Sequence, residues 1–411
     1  MALKAHNLAL RGRIGLPGPG RSMGLACLLA CRLLGGWTST GFADSLTTVS
    51  EPGPADCADL LERVRAQFQL PALAAVVVRG DRVVALGAVG VRRLGSDIRV
   101  TPQDKFHIGS ITKSMTATLA ARLVERGTIR WNATLEDVFP DRAARFDPAF
   151  RQVTLEQLLA HRGGVPASLD ADGLWASLWE RSEPPREQRL YLLERVTARA
   201  PAVPPGSKAL YSNAGYALAG AMLERAASQT WEDLIRAELF EPLRMSSAGF
   251  GAPAAPGQLD QPWGHASRDQ TFRPVPPGPR ADNPPAIAPA GAVHCSLPDL
   301  ARYLRFHLRG AQGKEAGLTR ASFEKLHAPV GEAEYALGWV VVSRDWAGGR
   351  ALTHAGSNTT FFAVVWLAPA RDFALAVATN AGGAKAEEAC DRAAWLLIQQ
   401  WLLKEASSAP P

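Results

Sequence analysis

Five stretches of the chain alternate or run apolar over strand-like lengths. Ala72-Leu73-Ala74-Ala75-Val76-Val77-Val78 follows Pro71 as a continuous apolar run, the signature of a buried strand. Arg79-Gly80-Asp81 then turns the chain into Arg82-Val83-Val84-Ala85-Leu86-Gly87, predicting an antiparallel hairpin whose Arg-Gly-Asp triplet is a glycine turn rather than an adhesion signal. Late in the chain, Leu337 to Ser343, Thr359 to Leu367 and Phe373 to Thr379 read as three more strands, the last two joined by the turn Pro369-Ala370-Arg371-Asp372. Between these ends the period changes to that of helices. Ile111, Met115, Leu119 and Leu123 recur every four positions, predicting a helix with one face in the core.

Further helical patterns cover Asp59 to Gln69, Leu174 to Trp179, Arg186 to Thr197, Leu210 to about Gln229, Trp231 to Glu238 and Pro298 to Leu304. Thr154 with Gln157 reads as a capping box opening Leu155 to Leu159, and Gly163 and Gly164 close that helix. Ile129 to Arg142 reads as an ordered connection. The chain ends in an amphipathic helix from Ala384 to Lys404, with Trp395, Leu396, Ile398, Trp401 and Leu402 on its apolar side. From Gly249 to Pro289, dense prolines and glycines without period predict a long surface excursion. Strands at both ends and helices between them predict one α+β unit. In it, an antiparallel sheet of about five strands, from about 58–130 and 290–405, receives an all-α insert at about 131–290. Residues 44–57 read as a linker and 406–411 as a disordered tail.

Composition changes this picture only at the N-terminus. The 411 residues are 47% hydrophobic and 20% charged with a mean hydropathy of −0.05, ample material for a globular core. The net charge is +6, but residues 1–43 hold Lys4, Arg11, Arg13, Arg21 and Arg32 and no acid, so the body is almost neutral and nucleic acid is not an expected partner. That segment reads as an export signal. Arg21 precedes the apolar stretch Met23 to Cys31, and Gly41-Phe42-Ala43 offers a cleavage site before Asp44. The stretch is too short to span a bilayer. Periplasmic or secreted localisation is therefore expected, with a lipid anchor at Cys31 as the alternative. Cys57, Cys295 and Cys390 allow at most one disulfide, and the scattered His107, His161, His265, His294, His307, His327 and His354 suggest neither a metal site nor any other cofactor.

Ser110 and Lys113 are three apart at the start of the predicted central helix, so a hydroxyl and an amine share one side near the positive end of its dipole. Taken in order, Ser110-x-x-Lys113, Tyr211-Ser212-Asn213 and His354-Ala355-Gly356 resemble the penicillin-recognising serine hydrolases, the superfamily of β-lactamases and D-alanyl-D-alanine peptidases. The likeness is to the branch with Tyr-x-Asn as second motif: class C β-lactamases, related esterases and D-stereospecific aminopeptidases. Leu155 to Gly164, Pro205-Gly206 and Pro289-Ala290-Gly291 with Ser296-x-x-Asp299 also resemble that family's connecting segments.

The resemblance implies that Ser110 attacks an ester or amide carbonyl and forms an acyl-enzyme. It implies that Lys113 and Tyr211 are the acid–base pair, the Lys113 ammonium stabilising a Tyr211 phenolate. Asn213 would bind the substrate amide or Lys113. Gly356 would let substrate approach the strand, and the backbone N–H groups of Ser110 and Ser357 would form an oxyanion hole. His354 stands where the family carries lysine. A largely neutral side chain there points away from strong β-lactamase activity, towards an esterase or peptidase whose small-molecule or peptide-like substrate lacks a fixed anion. A true β-lactamase or D-alanyl-D-alanine peptidase, and a penicillin-binding sensor that acylates without turnover, remain the alternatives.

Overall fold

The computed structural model describes residues 53–170, 173–269 and 271–404. The export signal and C-terminal tail predicted from sequence lie outside them. The chain begins with a two-residue strand, β1 (Ala55–Asp56), inside the predicted linker, and continues into helix α1 (Ala58–Phe68). The hairpin β2 (Ala72–Arg79) and β3 (Arg82–Gly90) follows, then the short β4 (Lys105–His107) and the central helix α2 (Thr112–Glu125). The helical segment includes α3 (Leu155–Leu159), α4 (Pro185–Thr197) and α5 (Asn213–Ala227).

The Gly249–Pro289 excursion is more ordered than its composition suggests. It holds β5 (Gly249–Phe250) and a hairpin of β6 (Gly264–Arg268) and β7 (Thr271–Val275). Strand β8 (Val293–Ser296) and helix α6 (Leu297–Ala311) lead to α7 (Arg320–His327). Then come β9 (Val340–Arg344), β10 (Gly349–Ser357), β11 (Phe362–Ala368), β12 (Phe373–Thr379) and α8 (Ala384–Ile398).

Among the described residues seven strands, not five, form the main sheet, in the order β1-β3-β2-β12-β11-β10-β9. Every pairing is antiparallel except the short β1 against β3. The two additions are β1 and β10; β10 escapes a hydrophobicity reading because Gly349, Ala351, Ala355 and Gly356 leave it little apolar bulk. Strands β2 and β12 sit at the centre, joined in register from Phe373 opposite Arg79 to Ala378 opposite Ala74. Both faces are covered, so all seven residues of β12 are buried and the sequence runs continuously apolar. One face packs on α1 and α8, the other on α2, α6 and the helical segment. The Arg-Gly-Asp turn is an ordinary surface turn, with Arg309 donating to Asp81 at 2.7 Å.

Helix α2 departs from the expected one-sided pattern. Residues Thr112 to Ala121 are all buried, polar ones included. Its hydroxyls are satisfied within the protein. Thr112 Oγ1 accepts from the Val293 N–H at 3.1 Å, Ser114 donates to the Ile111 carbonyl at 2.8 Å and Thr116 to the Pro289 carbonyl at 2.7 Å. Hydrogen-bonded small polar residues can thus replace hydrocarbon on the second face of a core helix. Cys57, Cys295 and Cys390 are buried, and no disulfide forms among the described residues.

Candidate active site

The β4 strand delivers the chain to a 3₁₀ turn, Gly109–Ile111, just ahead of α2. Gly109 has φ +50°, and a Cβ there would come within 2.3 Å of the Ser357 nitrogen. Gly356 on β10 is its counterpart. A Cβ on it would lie 2.0 Å from the Ile108 carbonyl oxygen and 2.4 Å from the Ser110 nitrogen. Gly356 is therefore required by the turn packed against it, where the sequence reading had it making room for substrate. The two glycines bring the peptide groups of Ser110 and Ser357 side by side.

One turn into the helix, Lys113 is fully buried, and its Nζ lies 2.9 Å from Ser110 Oγ. Its other partners are Asn213 Oδ1 at 2.8 Å and the Ala290 carbonyl at 2.7 Å, both neutral acceptors. No carboxylate is among these partners, and burial drives the amine well below its usual pKa. An uncharged amine has two N–H groups and one lone pair. With Asn213 and the Ala290 carbonyl accepting two N–H groups, the uncharged form of the amine would present its lone pair to Ser110 Oγ.

Tyr211 lies against this amine, its ring centroid 4.8 Å from Lys113 Nζ. Burial raises the phenol's pKa, and a hydrogen bond with Ser110 offsets this only in part. Burial thus disfavours both members of the expected pair, the Lys113 ammonium and the Tyr211 phenolate. The cause is the same for both: a dry site penalises each charged form.

Tyr211 is positioned by a residue that the sequence reading grouped with the scattered histidines. His161 follows α3 at φ +59° and grips both sides of the tyrosine. Its carbonyl accepts from the Leu210 N–H at 2.7 Å, and its Nδ1 accepts from the Ser212 N–H at 3.1 Å. Its ring packs on Tyr211, Tyr335 and Tyr216 at centroid distances of 4.3, 4.7 and 5.1 Å. Burial, then the neighbouring Lys113 and His354, hold it well below the usual histidine range. Ser212 is the N-cap of α5, accepting from the Gly215 N–H at 3.2 Å. That leaves Asn213 free of capping and directed at Lys113.

On β10, His354 is 1% exposed and also uncharged, burial pushing it down to about 3. Its Nδ1–H donates to the Ala355 carbonyl at 2.7 Å, so Nε2 accepts from the Tyr335 hydroxyl at 3.3 Å. The Ser357 hydroxyl donates to the Phe361 carbonyl at 2.8 Å and accepts from the Thr359 N–H at 2.9 Å, which leaves only its backbone for a ligand. Ser110, Lys113, Tyr211, Asn213, His354, Gly356 and Ser357 thus converge. Beside them the fold adds His161, Tyr335 and the Ala290 carbonyl, none of which spacing alone could identify. Among the described residues, no group of His, Cys, Asp and Glu side chains could hold a metal ion, and no helix is long and apolar enough to cross a membrane.

A family model described as Beta-lactamase matches residues 57–399. Among curated proteins, the chain is 27% identical over 346 residues to Penicillin-binding protein 4 of Amycolatopsis lactamdurans, covering 80% of this chain and 86% of that one. It is 25% identical over 350 residues to an unguisins hydrolase of Aspergillus campestris, covering 80% of this chain and 62% of the relative's length. Two solved structures share the fold. An octameric penicillin-binding protein homologue from Pyrococcus abyssi has a TM-score of 0.66 at 23% identity, with 84% of this chain and 78% of that one covered. The D-alanine carboxypeptidase AmpC from Burkholderia cenocepacia has a TM-score of 0.64 at 21% identity, with 82% and 98% covered.

Proposed function

The chain belongs to the beta-lactamase family of serine hydrolases, and from that footing we propose that it cleaves an ester or amide through an acyl-enzyme on Ser110. The observation that carries this reading is the 2.9 Å contact between Ser110 Oγ and a fully buried Lys113 that has no carboxylate partner among the described residues.

The uncharged Lys113 amine takes the Ser110 proton as Oγ attacks the carbonyl. Asn213 and the Ala290 carbonyl hold the amine's two N–H groups and so aim its lone pair. The backbone N–H groups of Ser110 and Ser357 receive the negative oxygen. Tyr211 keeps its proton at rest and donates it to the leaving group, and the Lys113 ammonium restores it. Burial disfavours that ammonium, so the proton passes on rather than staying. Water repeats the steps in reverse to release the acid.

Both ring nitrogens of His354 are engaged within the protein, which favours a substrate with no fixed anion at that position. The similarity to a penicillin-binding protein favours a second reading, acylation by a β-lactam without turnover. Fluorophosphonate labelling of the protein beside Ser110→Ala tests the nucleophile; label retained by the variant refutes it. Esters of p-nitrophenol, D-amino-acid amides and a chromogenic cephalosporin then separate the substrate classes, a burst without steady turnover marking the sensor. Residues 1–43 would direct export to the periplasm or medium. Sequencing the mature N-terminus checks this, with a lipid on Cys31 as the other outcome.

A further inference from the structure

Against the Ser110 turn lies a polar chain that the reaction above does not use. The Gly109 N–H donates to His107 Nδ1 at 3.1 Å. That nitrogen is therefore a lone pair, and the ring proton sits on Nε2, 3.0 Å from Asp282 Oδ2. The other carboxylate oxygen, Oδ1, accepts from Asn358 Nδ2 at 3.1 Å. Asn358 is the residue after Ser357. Its Oδ1 accepts from the N–H groups of Thr360 and Phe361 at 3.2 and 2.9 Å and from the Thr360 hydroxyl at 3.1 Å, fixing the turn between β10 and β11. His107 is completely buried, Asn358 is 4% exposed and the Asp282 side chain 9%.

We propose that Asp282 is a positioning residue that fixes the spacing of the oxyanion hole by tying the Ser110 turn, through His107, to the Ser357 turn, through Asn358. One carboxylate spans two segments about 250 residues apart in sequence, and those segments carry the two N–H groups assigned to the negative oxygen. Its position also gives the Gly249–Pro289 excursion a role, since that loop delivers the carboxylate to the back of the site. Asp282 touches no reacting atom. It acts by preventing the two peptide groups from drifting apart as the carbonyl oxygen gains charge, when small displacements are most costly. The proposal rests on reading Ser110 and Ser357 as that hole.

The experiment compares the full-length protein with Asp282→Ala, Asp282→Asn, Asn358→Ala and the double variant Asp282→Ala/Asn358→Ala. Each is assayed for kcat and KM on a p-nitrophenyl ester and for its rate of fluorophosphonate labelling. Losing one donor from such a hole typically costs a hundredfold or more, and a displaced donor less, so Asp282→Ala is expected to lower kcat and labelling about 10- to 50-fold with KM within about threefold. Asp282→Asn keeps the shape and can still accept from His107, so it recovers part of the loss and serves if the alanine variant fails to fold. The double variant loses no more than the worse single, because both act through one connection. Wild-type kcat and labelling in Asp282→Asn and Asp282→Ala, a loss confined to KM, or additive losses in the double variant would each overturn the proposal. Ser110→Ala run alongside keeps the cases apart: if it still takes the label, the nucleophile assignment has failed rather than the role of Asp282.

Discussion

On β2, Leu73, Ala75 and Val77 point to one side of the sheet, and Ala72, Ala74, Val76 and Val78 to the other. The first set meets Leu60, Leu61 and Val64 of α1 and Ala386, Ala389 and Ala393 of α8, a layer of hydrocarbon and thiol groups. The second faces the layer of α2 and α6, where Lys113, Ser114, Thr118, His307 and His354 are all buried. The polar groups behind the nucleophile are joined to one another. Tyr303 donates to Ser114 Oγ at 2.8 Å, and His307 reaches Thr118 Oγ1 at 3.2 Å and His327 at 2.9 Å. One face is thus held by excluded water and packing, the other by proton positions that must all agree. Damage should therefore appear as lost stability on the first face and lost turnover on the second.

The largest effect should come from Lys113→Ala, which removes the base. Turnover of a p-nitrophenyl ester is expected to fall by at least about a hundredfold while circular dichroism stays native. Tyr211→Phe should cost a similar factor or somewhat less, since it removes only the proton carrier and leaves the ring against His161. Its deficit should shrink with leaving groups of low pKa, which need no proton. A near-normal rate in either variant would remove the site from the polar face altogether.

The mirror experiment is Leu375→Ala on β12, a side chain with no exposed surface in the α1 and α8 layer. Such truncations cost about 2–5 kcal/mol. Denaturant unfolding should show this loss, while kcat of the folded fraction stays within about twofold of the parent. A large fall in kcat would mean that the two faces are not separable.

The faces also differ in what their sequences disclose. The hydrocarbon face is written in the continuous apolar runs of β2 and β12 and in the amphipathic α8, since burial of apolar surface is what such patterns record. The polar face gave itself away only through Ser110-x-x-Lys113, Tyr211-x-Asn213 and His354-x-Gly356. Its other members are side chains whose partners lie far along the chain: His161 with Ser212, 51 residues away, and His107 with Asp282, 175 away. No local spacing encodes such meetings. The charge states were hidden for the same reason. A lysine near a tyrosine suggests an ion pair on paper, whereas the dry surroundings of Lys113 and Tyr211 disfavour both charged forms. The β6–β7 hairpin was missed because Gly264 and Pro274 are punctuation in a sequence, though both fit within short strands here.

Acid should separate the faces by the smallest margin, yet without touching the nucleophile. Burial lowers His354 and His327 to about 3 and His265 and His294 to about 4, against about 6.5 in an unfolded chain. Between those values the unfolded chain binds more protons than the folded one, so stability is complete above about pH 6.5 and declines as pH falls towards 3. Each such histidine adds at most about 1.4 kcal/mol per pH unit to the slope. On the hydrocarbon face the thiols stay protonated throughout this range, burial pushing Cys57 up to about 12 and Cys390 well above its ordinary value. His354→Gln keeps a group able to accept from Tyr335 but cannot titrate. Urea midpoints measured from pH 7 to 4.5 should therefore fall less steeply in this variant than in the parent, by roughly one proton's worth. Equal slopes would mean that His354 is charged or exposed in the folded protein, and the anion-free reading of the substrate would lose its support.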